Sequence, residues 1–340
     1  MPLVQSPPNF VPRRFLRGGH LQTIGSYLLR RRFALPPHEQ RLVEVEPGVC
    51  VLCKCHWQTD RQYALTVIIV HGLEGSSESE YMLGIAHKGL AAGMNVVRMN
   101  QRNCGGTNAL APTLYHSGRS PDIAAVAHNL IAQDHISRLA LAGYSMGGNL
   151  VLKLAGEWGS SGPRQFRAVA AVSPAVDLAA SADALHAPSN RLYESYFLWN
   201  LRRRLREKAR LFPTAFDPAR LRGVRSLRDF DDKVTAFYCG FQGADDYYAR
   251  CSASNVVDRI AVPAFILQSA NDPFIRIRPE TRQKILANRN IRFVETEDGG
   301  HCSFLAQPEG PDRRQFDSPH RDGYWAEGQV VEFLRQFQAG

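Results

Sequence analysis

The segment Gly143-Tyr144-Ser145-Met146-Gly147 sets a serine between two glycines, after the apolar residues 139–142 and before the helical spacing of residues 147–158. Glycines allow a strand to pass into a helix through a tight turn without side-chain clashes. The serine hydroxyl then projects at a helix N-terminus, where backbone N–H groups stabilise negative charge. This spacing predicts that Ser145 is a nucleophile and that the N–H of Met146 is one donor of an oxyanion hole.

A nucleophilic serine needs a histidine as base and a carboxylate that orients the histidine. With this type of turn the chain order is serine, then aspartate or glutamate, then histidine, each after a strand. Asp272 follows the predicted strand 263–269, and His301 follows the predicted strand 291–295. Because the carboxyl ends of parallel strands meet at one edge of a sheet, we expect both residues beside Ser145.

Other residues could fill the two supporting roles. His71, at the end of the predicted strand 64–70, is an alternative base. Asp298 is an alternative to Asp272, but it precedes the histidine within the same loop, and Asp245 and Asp246 are weaker alternatives. We therefore prefer Asp272 as the orienting carboxylate and His301 as the base.

A second oxyanion donor is expected in His71-Gly72-Leu73-Glu74-Gly75, the loop that follows the first predicted parallel strand. The N–H of Leu73 is placed to reach the oxygen that develops charge when Ser145 attacks a carbonyl. Each such donor typically lowers the barrier by about 3 kcal/mol.

Strands and helices are predicted to alternate through most of the chain. This alternation predicts an α/β fold with a mainly parallel sheet and helices on both faces. Pro47-Gly48 predicts a hairpin between the first two strands, and Ser120 is predicted to cap a helix that has Pro121 at its first position. The predicted strands are 41–46, 49–57, 64–70, 95–99, 138–142, 168–172, 263–269 and 291–295. The predicted helices are 20–29, 80–92, 120–132, 147–158, 279–287 and 324–337.

Two parts of the chain interrupt this alternation of strands and helices. Residues 1–40, rich in proline and arginine, are predicted to form an arm packed on a domain of residues 41–340. Residues 178–255 are too long for a loop and are predicted to be a helical insertion that caps the domain. This insertion carries aromatic residues followed by arginines at 202–204 and 206. We interpret it as a lid over an acyl pocket, with docking on an anionic membrane surface or a solvated helix face as alternatives.

The composition excludes several other classes of protein. The 340 residues carry 41 Lys and Arg against 32 Asp and Glu, a formal net charge of +9, and are 44% hydrophobic. These values are typical of a globular domain and not of a disordered, collagenous or coiled-coil chain. The apolar runs are shorter than the roughly 18 residues of a membrane span, and no secretory signal is recognised, so we expect a cytoplasmic protein. Basic charge without a recognisable module does not predict nucleic-acid binding.

Seven cysteines, an odd number, favour free thiols over a disulfide framework. Cys50, Cys53, Cys55 and His56 are close together in the sequence, but a zinc site usually draws its four ligands from two separated pairs. We therefore interpret these residues as part of a strand. A serine activated by its own base needs no metal or cofactor, and we predict neither.

The segments around Leu73 and Ser145 resemble those of the α/β-hydrolase superfamily and, within it, the YheT-like branch, which includes mammalian lipases of the α/β-hydrolase-domain type. The resemblance runs through nearly the whole chain. Its other motifs are Gly18-Gly19-His20-Leu21-Gln22-Thr23, Leu114-Tyr115-His116-Ser117-Gly118, Ser173-Pro174, Asn271-Asp272-Pro273-Phe274 and Gly299-Gly300-His301.

This resemblance implies an α/β-hydrolase fold with a mainly parallel eight-stranded sheet and a helical cap. It also implies a catalytic triad of Ser145, Asp272 and His301 that acts on carboxylic esters, including acylglycerols and short- to medium-chain esters. The expected partner is then a small ester or lipid and not a nucleic acid, with transient contact to a membrane surface as an additional hypothesis. An acyltransferase that uses the same acyl-enzyme, and a non-catalytic binding protein with a basic surface, are the alternatives.

Overall fold

An eight-stranded sheet has the strand order β1-β2-β4-β3-β5-β6-β7-β8 in the computed structural model, which describes residues 10–29, 31–307 and 322–338. The hairpin of β1 and β2 and the pairing of β2 with β4 are antiparallel, and all other pairs are parallel. The predicted mainly parallel sheet is confirmed. Its strands are β1 (Glu39–Glu46), β2 (Val49–His56), β3 (Thr66–Val70), β4 (Asn95–Met99), β5 (Leu139–Tyr144), β6 (Phe166–Val172), β7 (Ala264–Ser269) and β8 (Ile291–Thr296).

Helices cover both faces of this sheet, and a run of further helices follows β6 in the chain before β7 begins. A π-helical turn, Asp231–Ala236, joins the short helices α7 and α8. The helices are α1 (Gly19–Leu28), α2 (Glu80–Ala91), α3 (Ser120–Asp134), α4 (Met146–Trp158), α5 (Leu178–Leu185), α6 (Arg191–Leu211), α7 (Leu227–Phe230), α8 (Phe237–Cys239), α9 (Ala244–Cys251), α10 (Pro279–Ala287) and α11 (Trp325–Arg335).

The central strands are apolar along their whole length because both of their faces are buried. In β3, Ile68 and Val70 pack into one cluster with α3, α4 and α10, while Val67 and Ile69 pack into another with α2 and α11. A strand buried on both sides reads as a continuous apolar run, which is the pattern that identified residues 64–70. The sheet is thus held rigidly between two layers of helices, and its carboxyl edge is a fixed platform for loops.

One predicted detail is wrong. Ser120 does not cap a helix; it is the first residue of α3, and Arg119 stands at the cap position without a side-chain hydrogen bond. The Ser120 hydroxyl donates instead to Glu157 of α4, over 2.6 Å. A carboxylate from a neighbouring helix has therefore replaced the backbone N–H as partner of this hydroxyl.

The cysteines near the hairpin lie on β2, as interpreted from the sequence. Cys53 and Cys55 point into the core, and burial raises the pKa of the Cys55 thiol to about 12. All seven cysteines are free. Within residues 10–29, 31–307 and 322–338, no three potential metal ligands are grouped closely enough to hold an ion. Nor does any helix in those ranges have the length and apolarity to cross a membrane.

Five helices, α5 to α9, lie between β6 and β7, where the insertion is predicted. Their apolar side chains form a cluster of their own, which includes Leu198, Leu205 and Phe230 and also contacts Phe274 from the loop after β7. The insertion therefore rests on the loops at the carboxyl edge of the sheet. The limits 178–255 for a separate cap stay a prediction.

The N-terminal segment is tied to the loops that follow β7 and β8. The buried Gln22 side chain donates to the carbonyls of Leu16 and Leu305 and accepts the N–H of Leu305, over 2.6, 3.0 and 2.7 Å. Gly19, the first residue of α1, lies against the carbonyl of Asn271, and a Cβ there would overlap that oxygen. This contact agrees with the prediction of a packed arm, whose limits 1–40 stay a proposal.

Replacing Gly19 by alanine should force α1 away from the loop that carries Asp272. We expect Gly19→Ala to lower both the melting temperature and kcat/KM, although alanine has the higher helix propensity. Gly25→Ala, in the same helix, is the matched control, because its Cβ would meet only movable side chains, Leu16 at 3.1 Å and Leu305 at 3.5 Å. Thermal unfolding and ester hydrolysis measure both effects. If the two variants have the same melting temperature and the same kcat/KM, the contact of Gly19 with Asn271 does not support the loop that carries Asp272.

Candidate active site

Ser145 occupies the turn between β5 and α4, with φ 54° and ψ −120°. Such a backbone conformation costs a non-glycine residue about 1–3 kcal/mol, and it persists only where the surroundings enforce it. The Ser145 N–H donates to the carbonyl of Val172 over 3.0 Å, and a Cβ on Gly147 would overlap the carbonyl of Val70. The predicted strand–turn–helix context of Ser145 is present. The close approach of the Val70 carbonyl explains why residue 147 is a glycine.

Asp272 and His301 lie together, each in the loop after its strand. The Asp272 carboxylate is buried, and its Oδ2 accepts a hydrogen bond from His301 Nδ1 over 2.9 Å. Its Oδ1 accepts the N–H groups of Phe274 and Ile275, over 3.0 and 2.9 Å. Three hydrogen bonds to one carboxylate fix its orientation, and Nε2 is the ring nitrogen of His301 that does not contact Asp272.

Nε2 of His301 lies next to Cys302, with 3.6 Å between the nitrogen and Sγ. In the part of the chain that the structure describes, Nε2 makes no hydrogen bond to the Ser145 hydroxyl. Catalytic hydrogen bonds are often long or misaligned without substrate and tighten when it binds. The sequence predicts a triad of Ser145, Asp272 and His301, but it does not indicate that a thiol lies next to Nε2 of His301.

Three effects act on the charge of His301. Burial disfavours the imidazolium, while the Cys302 sulfur and the Asp272 carboxylate favour it and outweigh burial, so the pKa of His301 is raised. A raised pKa means that the ring keeps its proton to a higher pH. The ring can act as a base only after it loses that proton.

The alternative base, His71, has a different environment. It is fully buried, its Nδ1 donates to the carbonyl of Gly72 over 2.8 Å, and its Nε2 accepts the N–H of Gln101 over 3.1 Å. Burial lowers the pKa of His71 to about 4, so the ring is neutral. His71 therefore holds the loop after β3 together and has no nitrogen left for Ser145.

The alternative carboxylates also have other partners. Asp298 accepts the side-chain amide of Asn271 over 2.8 Å, together with the N–H groups of Gly299 and Gly18, over 2.7 and 2.8 Å. Asp245 pairs with Arg228, and Asp246 pairs with Arg250. None of the three carboxylates contacts the His301 ring among the hydrogen bonds of the described residues.

The two proposed oxyanion donors lie on the lining of one cavity with Ser145. Leu73 and Met146 both line that cavity. Their side chains pack in one cluster with Cys104 and Tyr115. Within the residues that the structure describes, neither the N–H of Leu73 nor that of Met146 donates a hydrogen bond. Two unpaired N–H groups beside a serine are suited to receive an oxyanion.

Glu74 and Arg204 were not recognised from the sequence as parts of this site. Arg204 of α6 makes a bidentate ion pair with Glu74, with two N–O distances of 2.9 Å, and it also donates to the carbonyl of Asn103. Tyr115 donates to the same carboxylate over 2.6 Å. The insertion is therefore fastened directly to the residue that follows Leu73. One arginine of the predicted basic run is thus buried in an ion pair and is not a surface charge.

Thr23 of α1 was also overlooked. Its Oγ1 accepts the N–H of His301 over 2.9 Å and donates to the carbonyl of Gly19 over 2.6 Å. Thr23 ends the Gly18–Thr23 motif that contributed to the family resemblance, so the motif was the available signal. The contact gives that motif a physical role, which is to position the backbone of His301.

The cavity at Ser145 lies between the sheet edge and the helices α5 to α9. Most of its lining is apolar, for example Leu114, Leu178, Phe197, Leu201, Phe230 and Phe274. At one part of the lining the buried Asp231 accepts hydrogen bonds from Thr235 and Tyr248, over 2.8 and 2.7 Å. Burial raises the pKa of Asp231 to about 6. An apolar chain with a carbonyl at Ser145 fits such a lining.

The strand order and the turn at Ser145 define the α/β-hydrolase class of fold. The model of the alpha/beta hydrolase family matches residues 67–310, and the chain belongs to this family. It is 31% identical over 302 residues to YheT of Escherichia coli (strain K12), which is named as a candidate esterase, and the match covers 88% of each chain.

Two further proteins are similar to this chain. Human phospholipase ABHD3 is 30% identical over 241 residues, which are 71% of this chain and 58% of that protein. The solved structure of the esterase Pf2001 of Pyrococcus furiosus superposes with a TM-score of 0.57 at 16% identity, covering 91% of this chain and 99% of the other. At that identity the structural likeness supports the fold alone.

The Cys302 sulfur is one of the causes of the raised His301 pKa, so its removal should lower that pKa. In Cys302→Ala, His301 loses its proton at lower pH, and we expect the acidic limb of the kcat/KM profile to move down by about one unit. At pH values well below this limb, kcat/KM of Cys302→Ala should therefore be about tenfold higher than that of the unmodified protein. Cys50→Ala, which removes a thiol on β2, serves as control. An acidic limb that stays in place in Cys302→Ala would show that the sulfur does not act on His301.

Proposed function

We propose that this protein is a serine hydrolase that cleaves carboxylic esters through an acyl-serine intermediate. The observation that carries the proposal is the Asp272–His301 hydrogen bond of 2.9 Å, at the same sheet edge as the strained Ser145 turn. The names of YheT and ABHD3, a candidate esterase and a phospholipase, support an ester as the substrate.

In the proposed first half-reaction His301 Nε2 accepts the proton of the Ser145 hydroxyl while Oγ attacks the ester carbonyl carbon. The carbonyl oxygen takes up negative charge and accepts hydrogen bonds from the N–H groups of Leu73 and Met146. Asp272 keeps the ring in the required tautomer and stabilises the imidazolium. The C–O bond of the ester then breaks, and His301 returns the proton to the leaving alkoxide.

In the second half-reaction water attacks the acyl-serine. His301 accepts a proton from the water, the same N–H groups stabilise the second oxyanion, and Ser145 leaves with the proton from His301. No step needs a redox partner or a metal ion. The apolar lining formed by Leu178, Leu201 and their neighbours supports an acyl chain as the group that is held during both steps.

The apolar lining of the cavity at Ser145 supports a proposal for the class of substrate. We propose short- to medium-chain esters or acylglycerols, because an apolar cavity at the nucleophile favours acyl chains over charged groups. The insertion would act as a lid in this reaction, since α6 closes one side of the cavity and is attached to the oxyanion loop through Arg204. The position of α6 would then affect binding of the acyl chain and stabilisation of the oxyanion together.

Substitution of the nucleophile gives the most direct test of this function. Ser145→Ala should lower kcat on a series of p-nitrophenyl esters by about 10⁴-fold or more, and it should abolish labelling by a fluorophosphonate probe. Ser195→Ala, which changes an exposed serine of α6, should keep full activity and labelling. If the folded, unmodified protein is not labelled, the hydrolase proposal is wrong. Adding a competing alcohol and analysing the products would show whether the acyl group passes to water or to the alcohol.

A further inference from the structure

Two neighbouring helices expose an apolar face that the proposed reaction does not use. On α1 the exposed side chains are Leu21, Ile24 and Leu28, at intervals of three and four residues, together with Tyr27. On α6 they are Leu192, Tyr196 and Trp199, at intervals of four and three residues. Each spacing places its side chains on one side of its helix. Leu192 is 81% exposed and Leu28 is 70% exposed, which is unusual for large apolar residues.

These two faces form one surface, which we call the α1–α6 surface. The rings of Tyr27 and Tyr196 lie 6.1 Å apart in an edge-to-face arrangement. His20 Nδ1 lies 3.1 Å from the hydroxyl of Tyr193, and their two rings are stacked. Because the helices touch at both places, their exposed apolar faces are joined through Tyr27 and Tyr196.

Exposed arginines lie on α6 and in the segment just before α1. Arg191 and Arg203 are exposed on α6, with Arg203 one turn beyond Trp199 and its guanidinium 4.9 Å from the centre of that ring. Arg14 and Arg17 are exposed just before α1. Helix α1 contains no acidic residue; of the two glutamates of α6, Glu194 is buried against His186 and Glu207 is half-buried one turn beyond Arg203. An apolar face with a rim of arginines complements the acyl region and the anionic headgroups of a membrane.

The patch also borders the proposed catalytic residues. Thr23 of α1 accepts the N–H of His301, and the Tyr193 ring of α6 lies 5.4 Å from Phe274, whose ring is 4.3 Å from His301. A surface bound at α1 and α6 would therefore lie next to the base and not at a remote part of the molecule.

We propose that the α1–α6 surface binds the surface of an anionic lipid bilayer. Leu28, Leu192 and Trp199 enter the boundary between headgroups and acyl chains, and the arginines contact the lipid phosphates. Binding brings the His301 side of the molecule to the membrane. This proposal does not depend on ester hydrolysis, so Ser145→Ala protein can be used to measure it without consuming lipid.

The test is co-sedimentation of Ser145→Ala protein with vesicles of equal parts phosphatidylcholine and phosphatidylserine, compared with phosphatidylcholine alone. We expect binding to the anionic vesicles that weakens as sodium chloride is raised. The added changes Leu28→Asp and Trp199→Asp together should reduce the partition coefficient at least about tenfold. The matched control is Leu286→Asp, because Leu286 is 63% exposed on α10, outside the patch. Thermal unfolding would confirm that each variant is folded.

Tryptophan fluorescence gives an independent measurement. Of the four tryptophans, Trp199 is exposed, whereas Trp57, Trp158 and Trp325 are half-buried or buried. Anionic vesicles should shift the emission to shorter wavelength, and Trp199→Phe should abolish this shift while it preserves sedimentation.

Three results would overturn the proposal. They are equal binding to neutral and anionic vesicles, equal loss of binding in Leu286→Asp, and self-association that depends on Leu28 and Trp199 without vesicle binding. The last result would identify a second copy of this chain as the occupant.

Discussion

The strained turn at Ser145 is the constraint on which the other features of the site depend. Its positive φ is maintained because β3, β5 and β6 converge there, with the carbonyls of Val70 and Val172 on either side. The packing of the sheet, which is buried on both faces, compensates for the energetic cost of this backbone conformation in a non-glycine residue. In return, the turn holds the serine hydroxyl and the N–H of Met146 on the same side of the sheet edge. The loops after β3, β7 and β8 can then meet a fixed point.

Elements that lie outside the sheet adjust the geometry around this point. The α6 helix reaches the loop that carries Leu73 through the Glu74–Arg204 ion pair, and the α1 helix reaches the backbone of His301 through Thr23. The first contact is to the side chain of the residue after Leu73, and the second is to the backbone N–H of His301. The insertion and the N-terminal segment are thus connected to the two halves of the proposed chemistry, and their outward faces form the α1–α6 surface.

Much of the fold and of the candidate site could be predicted from sequence, because local patterns carry the information. Buried strands such as 64–70 read as apolar runs, and the glycines around Ser145 mark a turn that few other residues permit. The Glu74–Arg204 pair could not be predicted, since the two residues are 130 positions apart and an arginine run reads as a solvated face. The predicted cap at Ser120 is wrong because a carboxylate from another helix accepts the hydrogen bond of its hydroxyl. The position of Cys302 beside Nε2 depends on the loop conformation after β8, which no spacing rule describes.

The central claim is that Ser145, His301 and the N–H groups of Leu73 and Met146 act on one carbonyl group. A crystal structure of the enzyme phosphonylated at Ser145 tests this most directly, since the adduct mimics the tetrahedral intermediate. The account predicts the phosphonyl oxygen within about 3 Å of both N–H groups, and the His301 ring turned from Cys302 towards the adduct. A phosphonyl oxygen directed away from Leu73 and Met146, with the ring still on Cys302, would contradict it.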